Sequence, residues 1–428
     1  FGHAGQKCSA ASLAILVGPV GRSQRFARQL VDAVTSLRVG PPSDPLSEVG
    51  PVIEVPHGKL EWALTTLDEG EAWLVEPERL DYGPETAGRY WRPGVRVGVQ
   101  PGSRFHREEF FGPVMGVMHA TSLAHAIELQ NAVAYGLTAG LYTQNPDDLA
   151  LWLDRVEAGN LYVNRGITGA IVQRQPFGGW KRSSVGAGAK AGGPNYLVGL
   201  GSWRATTGAP VSATLHLRGL DSRITAVIEA AQPALDYEGF EWLRRAALSD
   251  AIAWDREFGQ VRDVSHLGVE RNLFRYRPVP VAVRATADAT PQQILRVVVA
   301  AVRAGSAFTL SAASGIPAGV HRALSDLRVG VFVESDAEWF ARVTAEPDPL
   351  AAPAPRPARA RLVGSPDAVA ALHRDLAAAV GGDPDLAIYS NEVTTAGRLE
   401  LLPFLHEQSV TITAHRFGNP DPWSESVI

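Results

Sequence analysis

The chain of 428 residues carries a formal net charge of −5, with 45% hydrophobic and 20% charged residues. This is the composition of an ordinary globular protein that is long enough for two or three domains. It contains no basic stripe of the kind that nucleic-acid binding needs, and no apolar run reaches the roughly 18 residues of a membrane span. We therefore expect neither a nucleic acid nor a transmembrane segment.

Cys8 is the single cysteine of the chain. One cysteine cannot form an internal disulfide, and no signal peptide precedes it, so the sequence predicts a reducing, cytoplasmic location. The chain also begins at Phe1 rather than at a methionine. This start predicts that the chain is the C-terminal piece of a longer polypeptide.

Strands and helices alternate through the first 200 residues. Segment 13–17 (LAILV) predicts a strand, and segment 21–37 predicts an amphipathic helix. Further helices are predicted at 59–67, 122–132 and 147–156, and further strands at 114–120, 137–143 and 160–164. Repeated βα units of this kind predict an α/β fold with a sheet of parallel type covered by helices.

A second α/β series starts near Asp221, after a stretch of weaker periodicity. Its strands are predicted at 278–285, 306–311, 329–335, 360–364, 386–390 and 410–417, and its helices at 291–305 and 365–382. The Pro/Ala-rich segment 347–361 predicts a semi-rigid loop within this domain. The predicted organisation is thus a first domain at 1–200, a linker or oligomerisation segment at 201–220, and a second α/β domain at 221–428.

The sequence alone leaves two interpretations of Cys8 open. A free cysteine is often a small buried hydrophobic residue. It is also a candidate nucleophile, because Lys7 beside it and the N-terminus of a predicted first helix would stabilise a thiolate.

Four stretches occur in an order and spacing that resemble the aldehyde dehydrogenase superfamily. They are GQKCSA at 5–10, REEFFGPVMGV at 107–117, YVNRGITGAIVQRQPFGGWKRSS at 162–184 and GAKAGGPNYL at 188–197. The resemblance implies that Cys8 attacks an aldehyde, that Glu109 holds the nicotinamide ribose of NAD, and that Phe111 borders the nicotinamide. Such chemistry passes through a thiohemiacetal, hydride loss and a thioester that water hydrolyses. For Glu109 taken alone, a solvated carboxylate is the alternative interpretation.

The third stretch is similar to the γ-glutamate-semialdehyde dehydrogenases, also called 1-pyrroline-5-carboxylate dehydrogenases. The resemblance implies that backbone N–H groups at Gly169 and Ala170 and the hydroxyl of Ser9 bind the α-carboxylate of the substrate. It also implies that Phe177 packs on the aliphatic part of the substrate, with an ordinary core phenylalanine as the alternative. The scattered histidines show no spacing for zinc, and no metal is predicted.

The second domain resembles the C-terminal domain of the long proline utilisation A family, through the stretches ERNLFRYRPVPVAVRA, AGSAFTLSAASG and NEVTTAGRLELLPFLHEQSVTITAHRFGNP. That resemblance implies a non-catalytic, degenerate Rossmann-like domain and a homo-oligomer. It also implies a proline dehydrogenase domain with FAD upstream of this chain, followed by the NAD-binding segment of the semialdehyde dehydrogenase and its oxyanion-hole asparagine. The implied activity is NAD-dependent oxidation of L-glutamate γ-semialdehyde to L-glutamate, which this chain alone would lack.

Two alternatives remain open at this stage. One is an aldehyde dehydrogenase for another carboxylated aldehyde. The other is a non-catalytic oligomerisation and tunnel-covering module. Independently of this choice, the apolar pattern of the tail at 397–418 predicts a short helix followed by a half-buried strand.

Overall fold

The computed structural model describes residues 1–186, 188–204, 220–345 and 357–428. The chain forms two compact units, which are Phe1–Ala170 with Leu267–Arg271 and Thr411–Ile428, and Ile171–His266 with Asn272–Val410. The sequence predicted a division at residues 200 and 221. The observed bounds differ, because each unit is built from segments that are separated along the chain. Most of the predicted linker 201–220 and of the predicted loop 347–361 lies outside the described residues.

The first unit contains the predicted alternation of helices and strands. Its α-helices are Gln24–Thr35, Gly58–Thr65, Arg104–Arg107, Leu123–Asn131 and Pro146–Arg155. Its strands are Leu13–Val17, Ala72–Val75, Glu78–Leu80, Tyr90–Arg92, Gly94–Val97, Val114–Ala120, Tyr135–Gly136, Thr138–Leu141, Asn160–Val163, His415–Arg416 and Asn419–Pro420. The helices begin at side-chain caps where the sequence offers one: Ser23 accepts from the N–H of Phe26 at 3.2 Å, and Asn145 accepts from that of Asp147 at 2.9 Å.

A four-stranded sheet forms the centre of this unit. Strand Leu13–Val17 pairs in parallel with strand Val114–Ala120, with Leu13 opposite Gly116. Gly94–Val97 pairs in parallel on the other edge of Val114–Ala120, and Ala72–Val75 closes the sheet in antiparallel direction. Because adjacent parallel strands start at the same edge of a sheet, the segments before Leu13 and before Val114 are neighbours.

The second unit is built from a larger set of helices around a parallel sheet. Its α-helices are Ser222–Ala231, Tyr237–Ala253, Pro291–Ala304, Ala318–Asp326, Asp336–Thr344, Pro366–Ala379 and Gly397–Glu400, with a π-helix at Trp254–Phe258. Its strands are Trp180–Lys181, Arg262–Asp263, Val281–Ala285, Phe308–Ala312, Gly330–Val333, Arg359–Val363 and Ala387–Tyr389. Strands Glu270–Pro278 and Leu405–Thr413 have residues in both units.

The five-stranded sheet of the second unit has the strand order of a dinucleotide-binding fold. From edge to edge it runs Gly330–Val333, Phe308–Ala312, Val281–Ala285, Arg359–Val363, Ala387–Tyr389, with every neighbouring pair parallel. When these five strands are numbered by their order along the chain, the sheet order is 3-2-1-4-5, which is the doubly wound arrangement. The predicted Rossmann-like fold is thereby confirmed.

Polar side chains lie at the crevice where this strand order reverses. A Cβ atom on Gly364 would lie 1.8 Å from Oγ1 of Thr286. The Thr286 hydroxyl donates to Asp288 at 2.6 Å, and the hydroxyl of Ser365 donates to the same carboxylate. Ser365 caps helix Pro366–Ala379, and Asp288 lies two residues before the cap of helix Pro291–Ala304. A carboxylate thus lies where a Rossmann fold binds pyrophosphate, and it would repel that anion.

The C-terminal segment departs from its predicted pattern. The short helix is present as Gly397–Glu400, but the strand starts earlier, at Leu405, and ends at Thr413. The expected half-buried alternation is wrong, since Thr411 is 1% exposed and Ile412 is 0% exposed. Both faces of the strand are covered, so its polar side chains lie in the interior.

A buried ion pair joins two helices of the second unit. The guanidinium of Arg296 donates to both carboxylate oxygens of Asp250 at 2.7 and 2.8 Å, and both side chains have 0% exposure. Nε of Arg296 also donates to the carbonyl of Thr394 at 2.7 Å. Because both charges are removed from water, loss of either side chain would leave the other charged group buried without its partner.

We expect Arg296→Met to lower the free energy of unfolding by about 3–5 kcal/mol, since it leaves the Asp250 carboxylate buried without its cation. The double variant Asp250→Leu/Arg296→Met should recover most of that loss. Denaturant unfolding monitored by circular dichroism gives the measurement. The exposed pair Arg223–Asp221 supplies the control, because Arg223→Met should change stability by less than about 1 kcal/mol. A double variant as unstable as Arg296→Met would contradict the explanation.

Candidate active site

Cys8 lies in a surface turn of the first unit. The turn follows the 3-10 helix Gly2–Gly5 and is closed by the N–H of Ala10, which donates to the carbonyl of Lys7 at 3.0 Å. The predicted helix N-terminus at Cys8 is wrong, because His3, Ala4 and Gly5 have positive φ values of 54°, 52° and 71° and the turn that follows leads directly into the strand that starts at Leu13. The thiol is exposed, which contradicts the buried interpretation. Within the described part of the chain, the N–H of Cys8 has no hydrogen-bond partner.

The segment that carries Cys8 packs directly on the loop that carries Glu109 and Phe111. A Cβ atom on Gly5 would lie 2.0 Å from the carbonyl oxygen of Gly112, so the two backbones are in contact. The cause is the parallel pairing of the strands that follow these two segments. The fold therefore brings together two sequence stretches that are about 100 residues apart.

The two phenylalanines of the second segment have opposite roles. Phe110 is 3% exposed and packs on Phe105 and Trp62, with ring centroids 4.7 and 5.2 Å away. Phe111 has a φ of 55° and is 36% exposed. Left-handed backbone at a bulky residue costs roughly 1–3 kcal/mol and is concentrated at functional sites. Phe110 therefore anchors the loop, and the strained backbone turns the next ring outward.

Glu109 is exposed and lies beside a lysine that the sequence did not single out. Nζ of Lys59 donates to the backbone carbonyl of Glu109 at 2.5 Å. Partial burial of the carboxylate raises the pKa of Glu109, and the nearby ammonium of Lys59 opposes that rise. Lys59 lies in helix Gly58–Thr65, whose Leu60 approaches Gly112 so closely that a Cβ there would lie 2.1 Å from Cδ1 of Leu60. Only the fold reveals this lysine, because nothing in its local sequence marks it.

Tyr162 is a second residue that the sequence analysis missed. It is 1% exposed, and its hydroxyl donates to the carbonyl of Gly169 at 3.4 Å. Burial raises the pKa of Tyr162, Arg165 opposes the rise, and the proximity of Cys8 adds to it. Tyr162 therefore lies within electrostatic range of Cys8, and its hydroxyl contacts the loop predicted to bind the substrate carboxylate.

The other predicted substrate residues have different environments. Gly169 has a φ of 89°, and both Gly169 and Ala170 are exposed. Ser9 is buried at 7% exposure directly after Cys8. Phe177 belongs to the second unit, where it is half-buried and exchanges two backbone hydrogen bonds of 2.9 Å with Ala191.

The exposed groups of the first unit fit a nicotinamide nucleoside. A carboxylate at Glu109 is an acceptor for ribose hydroxyls, the ammonium of Lys59 is a donor, and the outward ring of Phe111 offers a flat apolar face. No cluster of three or more His, Cys, Asp or Glu side chains that could hold a metal occurs in the described ranges. Among those same residues, no helix has the length and apolar character needed to cross a membrane.

The first part of the chain, residues 1–199, matches the aldehyde dehydrogenase family. It is 38% identical over 208 residues to 1-pyrroline-5-carboxylate dehydrogenase of Geobacillus sp. (strain WCH70), covering 46% of this chain and 37% of that protein. The enzyme of the same name from Bacillus subtilis (strain 168) is 36% identical over 198 residues, with the same coverage. The chain thus spans only about a third of the length of the curated relatives it matches.

The structure as a whole is similar to proline utilization A from Corynebacterium freiburgense. The two share 40% sequence identity with a TM-score of 0.74, over 98% of this chain and 37% of that protein. This similarity extends beyond the aldehyde dehydrogenase part and includes the second α/β series.

We expect Gly5→Ala to separate the Cys8 turn from the Glu109 loop, because the added methyl group meets the Gly112 carbonyl and φ 71 disfavours alanine. The expected loss is roughly 1–3 kcal/mol in the free energy of unfolding, with a changed rate of Cys8 labelling by iodoacetamide. Gly2→Ala is the matched control, since a Cβ at Gly2 meets nothing within 4 Å. If both variants behave like the wild type, the two segments are not in contact.

Proposed function

We propose that this chain carries the nucleophile and the nicotinamide side of the cofactor site of an NAD-dependent L-glutamate γ-semialdehyde dehydrogenase. The observation that supports this most strongly is the backbone contact between Gly5 and Gly112, which places the Cys8 turn beside the loop of Glu109 and Phe111. The names of the similar enzymes support the same substrate, since both are 1-pyrroline-5-carboxylate dehydrogenases.

In the proposed reaction, the thiolate of Cys8 adds to the aldehyde carbon and forms a tetrahedral oxyanion. The unpaired N–H of Cys8 is available to donate to that oxygen. Loss of hydride converts the adduct to a thioester, and water then releases L-glutamate and the thiol. The hydroxyl of Tyr162 donates to the carbonyl of Gly169 and would help to hold the Gly169 loop in place.

NAD, when bound, supplies the acceptor for the hydride. Glu109 and Lys59 would hold the ribose hydroxyls, and Phe111 would limit the movement of the nicotinamide ring. The ionised form of Glu109 is the stronger acceptor, and Lys59 favours that form against the effect of partial burial. The adenine and pyrophosphate contacts are proposed to lie in a segment upstream of Phe1.

Substrate selection is proposed to depend on the α-carboxylate. The positive φ of Gly169 points to a loop whose backbone N–H groups form an anion-binding nest with Ala170. Ser9 is buried beside Cys8 and would add a hydroxyl. Phe177 would pack on the aliphatic chain of the aldehyde.

We further propose that the chain is part of a bifunctional, homo-oligomeric enzyme with an FAD-dependent proline dehydrogenase upstream, in the cytoplasm. The similarity to proline utilization A over 98% of the chain supports this context. The second α/β domain is proposed to be non-catalytic, because Asp288 lies in the crevice that a dinucleotide would need.

A labelling experiment on the chain itself tests the nucleophile. Because Cys8 is the single cysteine, uptake of one iodoacetamide per chain reports on this thiol alone. We expect L-glutamate γ-semialdehyde to slow the labelling, since the thiohemiacetal occupies the sulfur. Butanal at equal concentration should protect less, because it lacks the α-carboxylate.

Gly169→Val should remove the difference between the two aldehydes while leaving labelling without aldehyde unchanged, because a β-branched residue disfavours φ 89°. The matched control is Gly166→Val, because Gly166 is on the same loop but does not have a positive φ, and a Cβ there meets nothing within 4 Å. An inert thiol, or one that neither aldehyde protects, would favour the non-catalytic scaffold.

In the longer polypeptide that contains an NAD-binding segment, we expect Cys8→Ala to lower aldehyde oxidation by at least about 10³-fold while proline oxidation persists.

This chain alone should bind NAD weakly, because Glu109 and Phe111 contact only the nicotinamide end. Calorimetric titration measures the affinity, and micromolar binding to the chain would place the cofactor site elsewhere.

A further inference from the structure

A cavity of about 180 Å³ with both polar and apolar lining residues lies within the second unit. Its wall includes side chains from strands Arg359–Val363 and Ala387–Tyr389, together with Gly199 and Glu392. At roughly 30 Å³ per water molecule in the liquid, this space could hold a small organic molecule. The proposed dehydrogenase chemistry makes no use of it.

Arg359 is the cation that distinguishes this cavity. It is 8% exposed, and its Nη1 donates to the carbonyls of Leu402, Pro403 and Leu405 at 2.9 Å each. Among the described residues, its Nε and Nη2 atoms have no hydrogen-bond partner, and no carboxylate lies within ion-pair distance. A guanidinium that is nine-tenths buried without a carboxylate is costly unless another anion pairs with it.

The neighbouring acidic groups are already engaged or lie in solvent. Glu400 accepts two hydrogen bonds of 3.1 Å from Arg361. Glu407 accepts from the N–H of Lys190 and from the side chain of Asn195 at 2.6 Å each, and it affects Arg359 only at longer range. These contacts leave the remaining donors of Arg359 available to a ligand.

Tyr389 supplies a second donor on the same wall. Its ring lies 5.4 Å from the guanidinium carbon of Arg359, and its hydroxyl has no hydrogen-bond partner within the described ranges. Arginine and tyrosine side by side offer N–H and O–H donors to one carboxylate group. Because Glu392 and Glu407 also line the cavity, a singly charged anion is favoured over a doubly charged one.

We propose that this cavity binds a small monocarboxylate, with its carboxylate group on Arg359 and Tyr389. Butyrate is a monocarboxylate small enough for this cavity of about 180 Å³, and we use it as the probe. The site is separate from the proposed aldehyde chemistry, because its residues include none of those assigned to that reaction.

The test titrates the whole chain with butyrate, followed by saturation-transfer NMR. We expect binding to the wild type, a roughly three- to ten-fold weaker affinity in Tyr389→Phe through the loss of one hydrogen bond, and no binding in Gly199→Leu. Gly199 lines the cavity and a Cβ there meets nothing within 4 Å, so we expect a leucine at this position to take up cavity space without a clash. Arg359→Met is a poorer choice, because it also removes three hydrogen bonds that hold the backbone.

Matched controls separate the site from nonspecific effects. Tyr237→Phe changes a tyrosine that is 80% exposed, and Gly315→Leu adds a side chain where a Cβ also meets nothing within 4 Å. Both should bind butyrate like the wild type. Absence of binding to the wild type, or unchanged binding in Gly199→Leu, overturns the proposal. Inorganic phosphate binding more tightly than butyrate overturns the assignment to a monocarboxylate.

Discussion

The parallel pairing of strand Leu13–Val17 with strand Val114–Ala120 determines the geometry of the candidate active site. It fixes the edge at which both strands begin, and the N–H of Gly116 donates to the carbonyl of Ser12 at 2.9 Å just where the pairing starts. The Cys8 turn and the Glu109 loop therefore meet through their backbones at Gly5 and Gly112. Glycine at position 5 is required because any side chain would collide with the carbonyl of Gly112.

The same loop stores strain next to a rigid support. Phe110 and its aromatic neighbours hold the backbone on one side, and Leu60 packs against Gly112 on the other. With both sides fixed, the residue between them can remain at a φ of 55°. The outward orientation of Phe111 is thus a property of the packed core, and it does not require a ligand.

Local patterns in the sequence predicted most of the regular structure. The apolar runs LAILV and VMGVMHA are strands at the predicted residues, and the helix predicted at 291–305 is observed at Pro291–Ala304. Periodicity could not reveal that Cys8 lies in a turn, because the left-handed backbone at Gly5 is a conformational and not a compositional property. Lys59 and Tyr162 were missed for another reason, since only tertiary packing brings them close to Glu109 and Cys8.

The second unit shows how charge can change the use of a common fold. Its 3-2-1-4-5 sheet retains the strand order of a dinucleotide-binding domain, yet Asp288 and Thr286 place a carboxylate and a hydroxyl at the switch point. In the same sheet, strand Arg359–Val363 directs two arginines to the cavity, and only Arg361 has a carboxylate partner. Asp288 thus places a negative charge where a Rossmann fold ordinarily binds an anion. Arg359, which has no carboxylate partner among the described residues, places a positive charge where this fold ordinarily binds no anion. With the monocarboxylate site that we propose, this domain would have lost dinucleotide binding through Asp288 and would bind a smaller anion at Arg359 instead.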